Sequence, residues 1–286
     1  MPQSLENQRP KITQGDRIKA FQECINETGK ALLEKDIENV EIKSRDGLRL
    51  VGHWYPCENA KRVIVAMHGW RSAWYMDFGM IADFWHNEGC SILFAEQRAQ
   101  NNSEGEYMTF GYMERYDCLD WIHWVNERTE SQYSIYLAGV SMGASTVLMT
   151  AGLELPENLK GVIADCGYTS PIEIIKKTVK EMKLPIGPIM SLINFSAKFF
   201  GKFNLKSAAP LEAVKKNKIP TIFIHGEKDF IVPTEMGKEL YENAIAEKKL
   251  VLFENASHAN NALTDFELYE KEVVTFISKY VKNVLN

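Results

Sequence analysis

The stretch that decides the fold of this sequence is the pentapeptide Gly-Val-Ser-Met-Gly at residues 139–143. An apolar, β-prone run at 134–138 comes directly before it, and the run 144–151 after it is typical of a helix. A Gly-x-Ser-x-Gly motif at such a strand-to-helix turn lifts the serine hydroxyl out of the sheet, and its glycines avoid Cβ collisions with the neighbouring strand and helix. The motif therefore predicts that Ser141 is a nucleophile.

An acid and then a histidine follow the serine along the chain, each after a strand pattern. A buried-strand pattern at 220–226 leads to Asp229, and a strand ending at Phe253 leads to His258. A neutral imidazole must take the proton of an attacking serine hydroxyl, and a carboxylate holds that imidazole in one tautomer. We therefore assign the base to His258 and the orienting acid to Asp229. Asp165, which also ends a strand pattern, stays open as an alternative acid.

Two backbone amides are predicted to stabilise the oxyanion that develops on the substrate. Losing one such donor typically costs about 3–4 kcal/mol of barrier. One donor is the N–H of Met142, directly after the nucleophile. The strand pattern at 62–67 runs into His68 and Gly69, and the residue after them, Trp70, is the expected second donor.

The remaining pattern predicts an α/β fold. Strands are expected near 39–45 and 48–56, and helices near 16–35, 75–88 and 113–128. Alternating strands and helices indicate a mostly parallel sheet with helices on both faces. We predict an N-terminal helical extension over residues 1–38 and one catalytic domain over 39–286.

These motifs together resemble the α/β-hydrolase superfamily. The matching pieces are His68-Gly69-Trp70, the pentapeptide at 139–143, and the stretches 165–170, 225–229 and 257–258. The resemblance is to bacterial cytoplasmic esterases near the cinnamoyl-esterase, bile-acid-acyltransferase-like and prolyl-oligopeptidase-like groups. It implies hydrolysis of a small-molecule carboxylic ester through an acyl-enzyme, without a metal or an organic cofactor. One departure is Ala99, which stands where relatives carry a turn glycine.

The segment at about 171–210 interrupts the alternation and is predicted to be a helical insertion. No charged residue occurs from 184 to 197, a run of 14 residues that is too short to span a bilayer. Two interpretations stay open: a helical excursion packed on the body, or a cap over the serine with Ile189, Leu192 and Phe195 lining the substrate pocket. Both predict buried apolar side chains.

Composition narrows the function classes. The 286 residues carry a net charge of −5 without a basic run, which argues against nucleic-acid binding. The five cysteines lack C-x-x-C spacing, and residues 1–6 lack the pattern of a signal peptide. We expect a cytoplasmic protein with no zinc site and no membrane insertion. Homo-oligomerisation stays open, because the N-terminal helix could pack on the body or on another subunit.

Other activities share the same machinery. A thioesterase, an acylaminoacyl peptidase or an acyltransferase would use the same serine, histidine and acid. The peptidase interpretation is weakened because the residues before the first strand are too few for a β-propeller domain. A catalytically silent binding protein of the same fold is the non-enzymatic alternative, although such proteins commonly lose the serine or histidine.

Overall fold

A central sheet of eight strands organises the protein, whose computed structural model describes residues 14–279. The strands lie in the order β1-β2-β4-β3-β5-β6-β7-β8. Their bounds are β1 Glu38–Lys43, β2 Arg49–Tyr55, β3 Arg62–Met67, β4 Cys90–Ala95, β5 Ser134–Val140, β6 Leu159–Asp165, β7 Thr221–Gly226 and β8 Lys248–Phe253.

The sheet is mostly parallel. β2 pairs antiparallel with β1 and with β4, whereas every other neighbouring pair is parallel. The central strands β3 and β5 are buried along their whole length, as expected for strands covered on both faces. One apolar cluster lies on each face, centred on Phe94 and Tyr136 on one side and on Leu137 and Trp121 on the other. The predicted fold class is confirmed.

Helices cover both faces of this sheet. Their bounds are α1 Gln14–Leu33, α2 Trp74–Phe78, α3 Ala82–Asn87, α4 Glu114–Arg128, α5 Met142–Thr150, α6 Pro171–Glu181, α7 Ile186–Phe199, α8 Pro210–Val214, α9 Thr234–Asn243, α10 Asn261–Thr264 and α11 Phe266–Lys279, with one turn of 3₁₀ helix at Leu205–Ser207.

The single helix predicted near 75–88 is wrong, since two short helices, α2 and α3, occupy this stretch. The chain turns at Gly79, where α2 ends against α1. A Cβ atom on Gly79 would lie 2.7 Å from the backbone nitrogen of Gly29 in α1 and 2.6 Å from the carbonyl oxygen of Tyr75. The two backbones therefore touch, and this tertiary contact leaves no trace in the apolar periodicity.

The insertion contains α6, α7, the 3₁₀ turn and the start of α8. The expectation that its apolar side chains are buried is wrong for much of α7, because Leu192 is 61% and Phe195 is 59% exposed. Met190, by contrast, packs with Phe203 and Leu205. The helix is apolar on two opposite sides, and only one of them meets the body.

The N-terminal helix α1 packs against α2 through the Gly29 contact. The predicted boundary at residue 38 and the sequence pattern of residues 1–6 remain predictions, and residues 1–13 and 280–286 lie outside the described part of the chain. None of the helices within residues 14–279 combines the length and the hydropathy that crossing a membrane requires.

Candidate active site

A strained turn between β5 and α5 presents Ser141. Its backbone has φ 55° and ψ −113°, a conformation that residues with a side chain rarely adopt. The turn is held because the Ser141 amide donates to the carbonyl oxygen of Asp165 at 2.8 Å. The flanking glycines are required by space: a Cβ atom on Gly143 would lie 1.8 Å from the carbonyl oxygen of Met67, and one on Gly139 would lie 2.3 Å from the Gly143 backbone.

A continuous chain of hydrogen bonds joins the serine to the predicted histidine and acid. Ser141 Oγ lies 2.9 Å from His258 Nε2, and His258 Nδ1 lies 2.7 Å from Asp229 Oδ2. Ser141 follows β5, Asp229 follows β7, and His258 follows β8, so all three lie beyond the carboxyl ends of parallel strands. The distances are those of normal hydrogen bonds and are within reach for proton transfer from serine to histidine.

The carboxylate of Asp229 is fixed by a dense set of donors. Its Oδ1 accepts from the amides of Ile231 at 2.9 Å and Val232 at 2.8 Å. Burial raises the pKa of Asp229, but the neighbouring imidazoles of His225 and His258 and the Val232 amide outweigh burial and bring the pKa down to about 2. Asp229 is therefore ionised across the neutral range.

The alternative acid, Asp165, has a different partner. Its Oδ1 accepts from Asn261 Nδ2 at 2.6 Å, whereas Asp229 is the carboxylate that contacts His258 Nδ1. Burial raises the pKa of Asp165 to about 6. Asp165 therefore lies under the site and supports it through Asn261 and through its own carbonyl, which accepts from Ser141.

The loop after β3 runs beside the serine. A Cβ atom on Gly69 would lie 3.5 Å from Cβ of Ser141. Asp77 clamps this loop, because its carboxylate accepts from the Gly69 amide and from the Ser72 hydroxyl, each at 2.6 Å. No residue in the described part of the chain accepts a hydrogen bond from the amide of Trp70, and Trp70 is 52% exposed. That amide is therefore free to donate to a ligand.

The other predicted donor, the amide of Met142, begins α5. The first N–H groups of a helix have no partner within the helix and carry its positive dipole end. The Met142 side chain is buried with Tyr168 and Val232, and Ile174 of α6 packs against the same cluster. The insertion therefore borders the site through α6. In α7, Leu192 and Phe195 turn their side chains to solvent and Ile189 is half-buried, so a pocket role for these three remains a prediction.

The loop after β4 supports the site from below. Gln97 donates through its amide nitrogen to the carbonyl oxygen of His68, and its backbone N–H donates to His68 Nε2 at 3.2 Å. Ala99 has φ 57°, so it adopts the left-handed conformation that a glycine would favour at this point. Arg98 fixes the loop by bidentate hydrogen bonds, since its Nε and Nη2 donate to the two carboxylate oxygens of Asp117 at 2.6 Å each.

Sequence reasoning missed several supporting residues. Asp77 and Gln97 carry no motif, and their roles depend on loops that meet only in the folded chain. Cys166 belongs to the matching stretch 165–170, but its closeness to the site was not predicted: potential ligand atoms of Cys166, Asp229 and His258 lie within 4.8 Å of one another. Burial raises the pKa of the Cys166 thiol well above its usual value, so this group is a neutral thiol beside the histidine and the acid. His258 and Asp229, moreover, already bind each other.

Comparison with known proteins agrees with this geometry. The family model for X-Pro dipeptidyl-peptidase (S15 family) matches residues 21–178, more than half of the chain, and a serine hydrolase (FSH1) model matches residues 136–259. The second match includes Ser141, Asp229 and His258.

Two curated relatives are themselves described as uncharacterized. YqkD of Bacillus subtilis is 28% identical over 66% of this chain, and the chain spans only 62% of its length. YfhR of Escherichia coli is 25% identical over 84% of this chain and 80% of its own.

Solved structures share the fold. An esterase of Pyrococcus furiosus superimposes with a TM-score of 0.71 at 22% identity, covering 88% of this chain and 96% of that one. An acylaminoacyl peptidase of Pyrococcus horikoshii gives a TM-score of 0.63 at 18% identity, covering 90% of this chain and 44% of that one. Because the S15 family model matches more than half of its residues, the chain belongs to the X-Pro dipeptidyl-peptidase (S15) family, and its fold is that of the α/β-hydrolases.

Proposed function

We propose that this protein hydrolyses small-molecule carboxylic esters through an acyl-enzyme. The observation that carries the proposal is the 2.9 Å contact of Ser141 Oγ with His258 Nε2, while Asp229 holds the other ring nitrogen. Asp229 requires a proton on Nδ1, so Nε2 is left free to accept the serine proton. This arrangement supports our assignment of Ser141 as the nucleophile, His258 as the base and Asp229 as the orienting acid.

The reaction runs in two balanced halves. Ser141 Oγ attacks the ester carbonyl as its proton passes to His258 Nε2, and the amides of Met142 and Trp70 donate to the resulting oxyanion. Collapse of this intermediate breaks the bond to the alkoxide, which takes the proton from His258 and leaves as an alcohol. A water molecule then gives a proton to His258 as its oxygen attacks the acyl carbonyl. Collapse of this second intermediate breaks the bond to Ser141 Oγ, which takes the proton back from His258 as the acid leaves.

The chemistry of these steps needs neither a metal nor an organic cofactor, since protons move only between serine, histidine, water and the leaving group. The structural likeness to the Pyrococcus furiosus esterase supports ester substrates. We place the reaction in the cytoplasm, in keeping with the unpaired arrangement of Cys24, Cys57, Cys90, Cys118 and Cys166.

The test is hydrolysis of p-nitrophenyl esters from acetate to decanoate by the wild type and by Ser141→Ala. We expect turnover by the wild type and a loss of about 10⁴-fold or more in the variant, with an unchanged circular dichroism spectrum. A fluorophosphonate probe should label the wild type at Ser141. Full activity of Ser141→Ala, or silence of the wild type toward both esters and probe, would contradict the proposal; silence would favour a binding protein.

A second candidate is peptidase activity, because the S15 family model matches the chain. A peptidase would form the same acyl-enzyme but must protonate a poorer amine leaving group. Ala-Pro-p-nitroanilide and an acylated aminoacyl anilide separate the two functions: we expect ester turnover without anilide turnover, and serine-dependent release of nitroaniline would instead establish the peptidase. Thioesters and added alcohols test the thioesterase and acyltransferase alternatives in the same assay.

A further inference from the structure

The helix α7 is apolar on two opposite sides. Met190, Ile193 and Ala197 belong to the side that packs on the body with Phe203. The opposite side is turned to solvent and consists of large apolar residues at helical spacing, of which Phe199 is 66% exposed. Its members are Pro188, Leu192, Phe195 and Phe199.

Further exposed apolar residues extend this outer side. Phe195 stacks on Phe199, with ring centroids 5.6 Å apart, and Phe199 meets Phe200 edge-on at 5.0 Å. Tyr107 continues the aromatic row beside Phe200, and Met182, Leu184 and Ile186 are exposed where α6 leads into α7. The row from Phe195 to Tyr107 is a contiguous exposed apolar surface, and such a surface marks an interaction site rather than an ordinary surface. We call it the outer apolar face.

The insertion that carries the outer apolar face is rich in basic residues. The insertion at 171–210 contains seven lysines and two glutamates, so its net charge is +5 in a chain of net charge −5. Glu173 and Glu181 pair with Lys176 and Lys177. Within the described part of the chain no carboxylate pairs with the other five lysines, which are exposed: Lys180, Lys183, Lys198, Lys202 and Lys206.

We propose that the outer apolar face and its five unpaired lysines bind the surface of an anionic lipid bilayer. A helix with aromatic and aliphatic residues on one side and lysines at its borders lies in the bilayer interface, with its apolar side at the headgroup boundary. Lysines near that surface attract acidic headgroups, while their aliphatic stems follow the apolar residues. Such a helix lies on the membrane and does not cross it.

Charge complementarity favours a bilayer over a second copy of this chain. A symmetric dimer through this face would bring two groups of unpaired lysines together, and like charges at an interface oppose association.

Membrane binding is independent of catalysis, but the insertion also contacts the candidate active site. Lys177 of α6 donates to the carbonyl oxygen of Phe230, directly after Asp229. This hydrogen bond joins the insertion that carries the outer apolar face to the loop that carries the acid.

The test is co-sedimentation of the full chain with phosphatidylcholine vesicles, with and without phosphatidylglycerol. Each lysine near an anionic surface contributes about fivefold to partitioning, so the triple variant Lys180→Gln/Lys183→Gln/Lys198→Gln should bind anionic vesicles on the order of a hundredfold more weakly. The matched control is Lys216→Gln/Lys218→Gln/Lys271→Gln, which removes three exposed lysines elsewhere. The control should bind like the wild type.

The apolar contribution is tested by Phe199→Ser/Phe200→Ser, for which we expect at least about tenfold weaker binding. Its control, Leu33→Ser/Ile245→Ser, removes two exposed apolar side chains outside the face. Ser141→Ala should bind vesicles like the wild type, so failure of the esterase proposal would leave this result unchanged. Equal binding of test and control variants would overturn the proposal. So would absence of binding to anionic vesicles, or a dimer that only Phe199→Ser/Phe200→Ser dissociates.

Discussion

The substitution Asp229→Asn tests the assignment of the acid most sharply, because the structure dictates how the new amide must sit. Oδ1 accepts from two backbone amides, at 2.9 Å from Ile231 and 2.8 Å from Val232. That position must stay an oxygen, since a side-chain NH₂ there would face two donors. The NH₂ group of the asparagine is therefore forced into the place of Oδ2, 2.7 Å from His258 Nδ1.

This placement changes the tautomer of His258. Nδ1 can then only accept, so the ring proton moves to Nε2 and points at Ser141 Oγ, and the base can no longer take the serine proton. A wrong tautomer of this kind lowers kcat by about 10⁴, equivalent to about 5.5 kcal/mol of barrier. The same change affects stability. The pKa of Asp229 is about 2, against an ordinary value near 3.9. This difference contributes about 2.5 kcal/mol to the unfolding free energy above pH 4, and the contribution is lost as the pH falls through about 2.

The assay combines initial rates on p-nitrophenyl acetate with urea unfolding of the wild type and the variant. We expect the kcat loss, little change in KM, and a lower unfolding free energy for the variant at pH 7. The matched control is Asp165→Asn, whose carboxylate contacts Asn261 instead of the histidine. Retention of more than a tenth of the activity by Asp229→Asn, or a larger loss in Asp165→Asn, would refute the assignment of the acid.

Three further predictions concern the framework of the site. Gly143→Ala would place Cβ 1.8 Å from a β3 carbonyl oxygen, so we expect a loss of about 4 kcal/mol in unfolding free energy together with activity, measured by urea titration. Arg98→Met leaves the buried Asp117 carboxylate without its charged partner and should lower the unfolding free energy by about 3–5 kcal/mol. Arg128→Met, which removes one partner of an exposed ion pair, should lower it by under about 1 kcal/mol. Burial raises the pKa of Asp165 to about 6, so its contribution to stability is present below about pH 4 and is lost as the pH rises through 6. Thermal unfolding should therefore show that the unfolding free energy of Asp165→Asn, relative to that of the wild type, rises by about 3 kcal/mol from pH 4 to pH 8.

Much of the fold follows from local patterns. The pentapeptide at 139–143 predicts a strand, a strained turn and a helix, and the structure has β5, Ser141 and α5 in those places. The runs before Asp229 and His258 are strands, as predicted, and the first of them, β7, is buried along its whole length. Local apolarity sufficed here because a parallel strand covered on both faces is apolar along its whole length.

The sequence was least informative where distant segments meet. Gly79 ends α2 because the chain touches Gly29 of α1, and neither glycine lies in a turn motif. The loop clamp by Asp77 is of the same kind. The apolar run at 184–197 predicted burial, yet half of it is exposed, because apolarity does not tell which side of a helix meets the body. The geometry of Ser141, Asp229 and His258 required the folded sheet.

The order of the strands also governs when the site comes into existence. Ser141 and His258 are separated by 117 residues, and β6, β7 and β8 lie beside β5, in that order, between the serine and the histidine. A chain emerging from the ribosome would thus carry its serine long before its base, and would be chemically silent until the last strand docks. Recovery of ester turnover in refolding should accordingly lag behind recovery of helical signal, which makes activity a reporter of complete sheet assembly.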